Sequence, residues 1–446
     1  MTDPVERLAA LIRIPTVSNR DPALVDSDAF DRLLATMRGQ WPLLHALDVT
    51  RVGSHGLLIR WPGRSAERPV VLMAHLDVVP VVAADWSRDP FGGEVVDGEH
   101  GPELWGRGTL DDKGCVAGIC EAVESLLDDG FVPAQDVWLS FGCDEEVSGG
   151  AAQAAVDVLR ERGVTPWFVI DEGGAIAHEA FPGVVAPVGV VGVTEKGVTS
   201  VTLTVSGDGG HASTPVRNGP TVRLAKALTR LDAAPMAPRL PAPTIELFRR
   251  LAPHAPLAMR ALLGNASRLA PLASRAMTVA GAEPAAMVRT TFAITTLAGS
   301  PALNVIAASA SAGVNIRVMV GDTVADVLAH IRSAVRDDAV VIDVVEATEP
   351  SPVSPYSSPD SIDDAFDLIE STISEVFPDA VPAPYVMMAA TDSRFFTAIC
   401  THVYRFAPFR MTKAQRAAIH AADERIGTAA YLDGIRWYRR LIERLP

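Results

Sequence analysis

Pro69-Val-Val-Leu-Met-Ala-His75-Leu-Asp77-Val-Val-Pro80 is the stretch on which the fold turns. An apolar run of strand length, bounded by prolines, reads as a parallel strand buried on both faces, because parallel sheets are covered by helices on either side. Such a strand carries charge only near its ends. Successive side chains alternate across it, so His75 and Asp77 share one face while Leu76 turns to the other, and the carboxylate can orient the imidazole. Taken alone, the tripeptide fits a core histidine paired with a neighbouring acid equally well.

Three more segments place acids at comparable points. Leu104-Trp-Gly-Arg-Gly-Thr-Leu-Asp-Asp-Lys-Gly114 runs into an apolar helical stretch from Cys115 to Leu127, with Asp111 at the turn. There its carboxylate can either bridge two cations or cap the helix. Val137-Trp-Leu-Ser-Phe-Gly-Cys-Asp144-Glu145-Glu146-Val-Ser-Gly-Gly150 is a strand with its charge at the carboxyl end. In extended geometry Glu145 and Glu146 point in different directions, so one can bind metal while the other faces the attacking water. The alternative is a solvated acidic loop. Trp167-Phe-Val-Ile-Asp171-Glu-Gly-Gly174 repeats the pattern, and Ile419-His420-Ala-Ala-Asp-Glu424 adds a histidine near the C-terminus. Open α/β sheets hold their sites beyond the carboxyl ends of the strands, so all these placements point to one crevice. Imidazole and carboxylate are the usual ligands of catalytic Zn²⁺, and a pair of metals needs more of them than one segment supplies.

Beyond this spacing, the chain resembles the M20 family of metallopeptidases over almost its whole length, within it the carboxypeptidase S and N-acyl amino acid hydrolase group. The resemblance rests on His75-Leu-Asp-Val-Val-Pro80, Gly106-Arg-Gly-Thr-Leu-Asp-Asp-Lys-Gly114, Asp144-Glu-Glu146, Asp171-Glu-Gly-Gly174, Gly210-His-Ala-Ser-Thr-Pro215, Gly299-Ser-Pro-Ala-Leu-Asn304, Val314-Asn-Ile-Arg317 and Ile419-His420. It implies one metal on His75 and Asp171, a second on Glu146 and His420, and Asp111 bridging both, across a cis peptide between Asp111 and Asp112. Asp77 would orient His75, and Glu145 would be the general base. His211 would reach the partner subunit's site to stabilise the oxyanion, while Asn304, Arg317 and Thr391 would contact substrate. Arg317 suits a free carboxylate, which its planar fork can bond twice. The implied cofactor is two divalent ions per chain, Zn²⁺ first, with Co²⁺ or Mn²⁺ as alternatives.

The chain has 446 residues, which suggests two domains, and its 39 basic against 54 acidic residues give a formal charge of -15. That balance disfavours nucleic-acid and anionic-membrane partners, and the resemblance implies a small molecule or short peptide as substrate. The N-terminal stretch has acids and arginines where a signal peptide would need a basic start and an apolar core, and no long uncharged apolar run follows, so the expected compartment is the cytoplasm. Cys115, Cys120, Cys143 and Cys400 lack CxxC spacing and read as core thiols.

The pattern predicts an α/β fold: a zinc-peptidase-like mixed sheet sandwiched by helices, with an inserted α+β, ferredoxin-like domain. Residues 1–192 and 350–446 would form the discontinuous metal-binding domain and 193–349 a lid, which the resemblance implies also dimerises. Within the insertion a helix is expected over Leu251 to Leu263, covering the site or packing between subunits. The leading function is hydrolysis of the amide bond of N-acyl amino acids or of peptides with a free C-terminal carboxylate. The alternatives are an aminopeptidase or amino-acid deacetylase of the same fold and, in a different class, a non-catalytic metal-binding regulatory dimer.

Overall fold

The computed structural model describes residues 3–181 and 183–446. The deciding run forms the strand Ser65–His75, buried from Pro69 onward. It lies between Gln135–Gly142 and Phe168–Asp171, parallel to both. Its alternating side chains feed two separate cores. Val70, Leu72 and Ala74 pack with the helices Pro4–Ile12, Lys113–Asp128 and Thr428–Glu443, while Val71 and Met73 pack with Gly150–Glu161 and Ser393–Phe396. Cover on both faces is why this strand is apolar from Pro69 to Ala74.

Among the described residues the large mixed sheet has ten strands. The order runs Asp48–Val52, Gly56–Trp61, Gln135–Gly142, Ser65–His75, Phe168–Asp171, Val403–Arg405, Val188–Glu195, Ala175–Ala177 and Arg410–Met411, with Val381–Met387 also paired to Val188–Glu195. All four cysteines are buried free thiols.

A second sheet is antiparallel, in the order Thr291–Ala298, Ser309–Val318, Gly197–Ser206, Val340–Ala347. The helices Pro220–Asp232 and Val324–Val335 cover one face, packing on Ala310, Ala312, Val314, Ile316 and Val318. Alternation then puts Gly313, Asn315 and Arg317 on the open face. The chain crosses between the sheets at two adjacent points, where Glu195 N–H donates to Ser351 Oγ at 2.9 Å and Thr194 Oγ1 to Ser351 O at 2.7 Å.

Two local expectations are corrected. The helix expected over Leu251 to Leu263 is broken: Ala242–Leu251 ends, a short 3-10 turn Ala252–His254 follows, and a new helix runs Leu257–Gly264. Pro253 and Pro256 lack the N–H groups that a continuous helix requires. This stretch packs on the large sheet, with Leu247, Phe248 and Leu251 against Val188 and Ala383, and Arg250 pairs with Glu370. The second correction concerns Glu145 and Glu146, which lie in a turn after the strand Gln135–Gly142. Asp144 enforces that turn: its carbonyl accepts the N–H groups of Ser148 and Gly149, and its carboxylate those of Gly150 and Ala151.

Candidate metal centre

His75 ends its strand with both ring nitrogens engaged. Nδ1 lies 3.0 Å from Asp77 O and 3.4 Å from Asp77 Oδ1, and Nε2 lies 2.8 Å from Asp111 Oδ1. Nδ1 donates to the Asp77 carbonyl, and in the metal-free chain Nε2 donates to Asp111, the position from which its lone pair would face a cation. The Asp77 carboxylate accepts the backbone N–H groups of Glu145 and Glu146, each at 3.2 Å, and so ties the end of one strand to the turn after the next.

Asp111 does not cap a helix. The residue before the helix Lys113–Asp128 is Asp112, which makes no side-chain cap bond and instead accepts His75 N–H at 3.1 Å. The peptide between Asp111 and Asp112 is cis. Asp111 turns its second oxygen to His420 Nε2 at 3.0 Å, and Glu146 Oε1 lies 3.1 Å from the same nitrogen. His420 sits at φ 61°, a left-handed conformation that aims its ring back into the site.

The donor atoms gather into overlapping sets within 4.8 Å: His75, Asp111 and Glu172; His75, Glu145 and Glu146; Asp111, Glu146 and His420. Burial favours neutral carboxyls, and against it the hydrogen bonds from His420 and His75 hold Asp111 below the usual carboxylate range. Glu145 and Glu172 are pushed well up, by burial first and then by surrounding carboxylates. So many carboxylates in a closed space, with two imidazoles among them, is the donor chemistry of a divalent-cation site, and the shared Asp111 suits a pair.

Asp171 lies beside the cluster, outside the three donor sets. It is buried at the end of its strand, with Oδ1 accepting Glu172 N–H at 2.9 Å and Oδ2 accepting Ser393 N–H at 2.8 Å. The next residue, Glu172, supplies the donor beside His75 and Asp111. The sequence signal for this was the acid pair at the strand end, where consecutive side chains face opposite ways. Thr391 is corrected as a substrate contact. It is 1% exposed, its N–H donates to Glu195 Oε2 and its hydroxyl pairs with Ser393 Oγ at 2.6 Å, so it holds the loop beneath Asp171.

Of the remaining candidates, Arg317 lies on the second sheet and the other two lie at a separate ladder. His211 and Asn304 flank a two-stranded ladder in which His211 pairs with Val305, and both are exposed. His211 Nδ1 accepts Ser213 N–H at 3.1 Å, so the neutral ring carries its proton on Nε2 as an outward donor. Among the described residues no hydrogen bond or ion pair links His211, Asn304 or Arg317 to the His75 cluster. Arg317 is partly buried on the open face, with Glu346 as its charged neighbour. Arg20, from the body of the large sheet, lies 3.9 Å from Glu346, and a cavity of about 560 Å³ separates Val345 and Glu346 from the Cys143–Ser148 turn. The open face is therefore turned toward the body that carries the cluster.

Residues 71–444 match the model of peptidase family M20/M25/M40. The chain belongs to the M20 peptidase family. It is 34% identical over 98% of its length to 87% of a human N-fatty-acyl-amino acid synthase/hydrolase, PM20D1. It is 33% identical, again over 98%, to 84% of a probable carboxypeptidase S-like protein of Dictyostelium discoideum. The M20 metallo-carboxypeptidase Sso-CP2 of Sulfolobus solfataricus shares the fold at TM-score 0.70 and 17% identity, with 99% of each chain covered. As a member of this metallopeptidase family the protein is a hydrolase, and the mixed sheet sandwiched by helices expected from its sequence is the family's fold. Among the described residues no helix is long and apolar enough to cross a membrane.

Proposed function

We propose that this M20 hydrolase uses two divalent cations to cleave the amide bond of N-acyl amino acids or short peptides that end in a free carboxylate. The carrying observation is the pair of donor sets sharing Asp111, with Glu145 beside them. His75, Asp111 and Glu172 would hold one cation, and Asp111, Glu146 and His420 the other, Zn²⁺ being the first choice for this donor mix. Glu172 is the acid grouped with His75 and Asp111, while Asp171, which spends one lone pair of each oxygen on a backbone N–H, keeps the others for a cation. The cations supply Lewis-acid polarisation of the scissile carbonyl and an acidified water.

The chain's own groups do the rest. Glu145, held through its backbone by Asp77, takes a proton from the attacking water and delivers it to the leaving nitrogen. Its raised proton affinity suits both halves of that transfer. His211 offers Nε2–H to the developing oxyanion of a neighbouring subunit's substrate, which makes the working form a dimer through residues 193–349. Arg317 on the open face pairs with the substrate carboxylate, and Asn304 lies next to His211 at the carbonyl side. The carboxypeptidase S-like and N-fatty-acyl-amino acid relatives support this substrate class. A panel of N-acyl amino acids, dipeptides and free-amine peptides, assayed with metal content measured in parallel, tests the reading. Turnover of the acyl amino acids with two metals per chain is expected, and exclusive use of free-amine substrates would replace it with an aminopeptidase.

A further inference from the structure

Glu424 ends the segment that carries His420, is fully buried, and touches none of the candidate ligands' side chains. Its carboxylate is instead the centre of the Gly106–Asp111 loop. Oε1 accepts the N–H groups of Leu110 at 2.8 Å and Asp111 at 3.1 Å, while Oε2 accepts Gly108 N–H at 3.1 Å and the Arg107 guanidinium. A carboxylate has about four lone-pair sites, so this one is fully used. Arg107 also donates to Ala421 O at 2.7 Å, Gly106 N–H donates to Glu424 O at 3.0 Å, and from there Arg425–Gly427 pairs with Gly101–Trp105. The two segments are thus clasped just where one delivers Asp111 and the other His420, whose side chains meet at 3.0 Å.

We infer that Glu424 is a positioning residue: its carboxylate is the anion around which the Asp111 loop folds, and through it the C-terminal segment sets Asp111 and His420 to one cation. The inference rests on the proposed metal reading. Two oxygens that receive two N–H donors each leave no room for an amide. Glu424→Gln therefore turns an NH₂ group toward a pair of donors and loosens the loop, whereas Glu424→Asp keeps the charge one methylene short. Glu103 provides the contrast, since from the same small sheet it bonds Arg425 and, on the helix Lys413–Ala418, Gln415, without bonding the loop.

The test is the affinity of the folded chain for Zn²⁺, read by competition with a chelator, alongside far-ultraviolet circular dichroism. Groups that orient metal ligands typically cost 10 to 100-fold in affinity when changed. Glu424→Gln should weaken Zn²⁺ by that factor and recover most of its kcat at saturating metal, with Glu424→Asp between it and wild type and Glu103→Gln unchanged. Wild-type affinity in folded Glu424→Gln, or an equal loss in Glu103→Gln, overturns the inference. Should Glu424→Gln not fold, Arg107→Lys, which keeps the cation but loses the fork, must show a smaller loss in the same direction, and unchanged affinity there overturns it too. A wild-type chain that binds no divalent metal would sink the metal reading instead.

Discussion

Asp77 Oδ1 accepts the backbone N–H of Glu145 at 3.2 Å, so the residue that orients His75 also fixes where the carboxyl group of Glu145 begins. Removing the acid-base function without disturbing that anchor is possible because only the backbone of Glu145 is held. Glu145→Gln should keep both metals, as measured by metal analysis, and lose about 10² to 10⁴ of kcat, the usual worth of general acid-base help. Near-normal turnover in the metal-replete variant would remove Glu145 from the mechanism.

Asp111, Glu172 and Asp171 separate by metal count. Asp111→Ala should lose both cations together, since it belongs to both donor sets. Glu172→Ala should lose one and keep the Glu146–His420 side. Asp171→Asn, whose changes fall on the bonds to Glu172 N–H and Ser393 N–H, should retain more metal than Glu172→Ala. The reverse order would return the ligand role to Asp171.

The difference between those two acids shows where the sequence stopped being legible. The strand Ser65–His75, its parallel neighbours and the grouping of His75, Asp111, Glu146 and His420 were readable, because a strand buried on both faces must be apolar and its acids must then collect at one end. Ser393, 222 positions away in sequence, donates its N–H to Asp171 Oδ2, a contact that the sequence around the acid pair does not display. Glu424 was visible only as a fourth residue after His420, since the loop that its carboxylate gathers is held by backbone N–H groups, which sequence does not display. Apolar spacing runs unbroken through Pro253 and Pro256, whose missing N–H groups nevertheless end one helix and delay the next.

In the metal-free chain His420 is pushed up to about 10 by its hydrogen bonds to Asp111 and Glu146. A raised folded-state value means that its contribution to stability is full below the unfolded value near 6.5 and fades as pH rises through about 10. Thermal melts in chelator should therefore show the advantage of wild type over His420→Asn shrinking across that window. With Zn²⁺ bound the imidazole is neutral, and the shrinkage should disappear. An advantage independent of pH in chelator would mean that the ion pairs with Asp111 and Glu146 do not form.

His211 lies exposed on a ladder remote from every ligand-bearing segment, with Nδ1 tied to Ser213. If its Nε2–H serves the neighbouring subunit, His211→Ala and Glu145→Gln chains, each inactive alone, should regain part of the activity when mixed, because some mixed dimers hold one site with both residues intact. No recovery after subunit exchange has been verified would place His211 outside the reaction.

Arg317 is the cation on the open face, where burial draws its pKa down and Glu346 draws it up, and among the described residues it forms no hydrogen bond or ion pair of its own. A guanidinium held part-buried and unbonded is matched to a bidentate anion, and a substrate carboxylate supplies one. Removing a charge-assisted hydrogen bond of about 1.5 to 3 kcal/mol should weaken turnover tenfold or more, so C-terminal amides should be poor substrates beside the free acids. Arg317→Ala should lower kcat/KM for the acid strongly and for the amide little, collapsing the preference between them. Equal hydrolysis of acid and amide by the wild-type enzyme would show that no cation reads the substrate's end, and the carboxypeptidase-like assignment would give way to the aminopeptidase or deacetylase alternative.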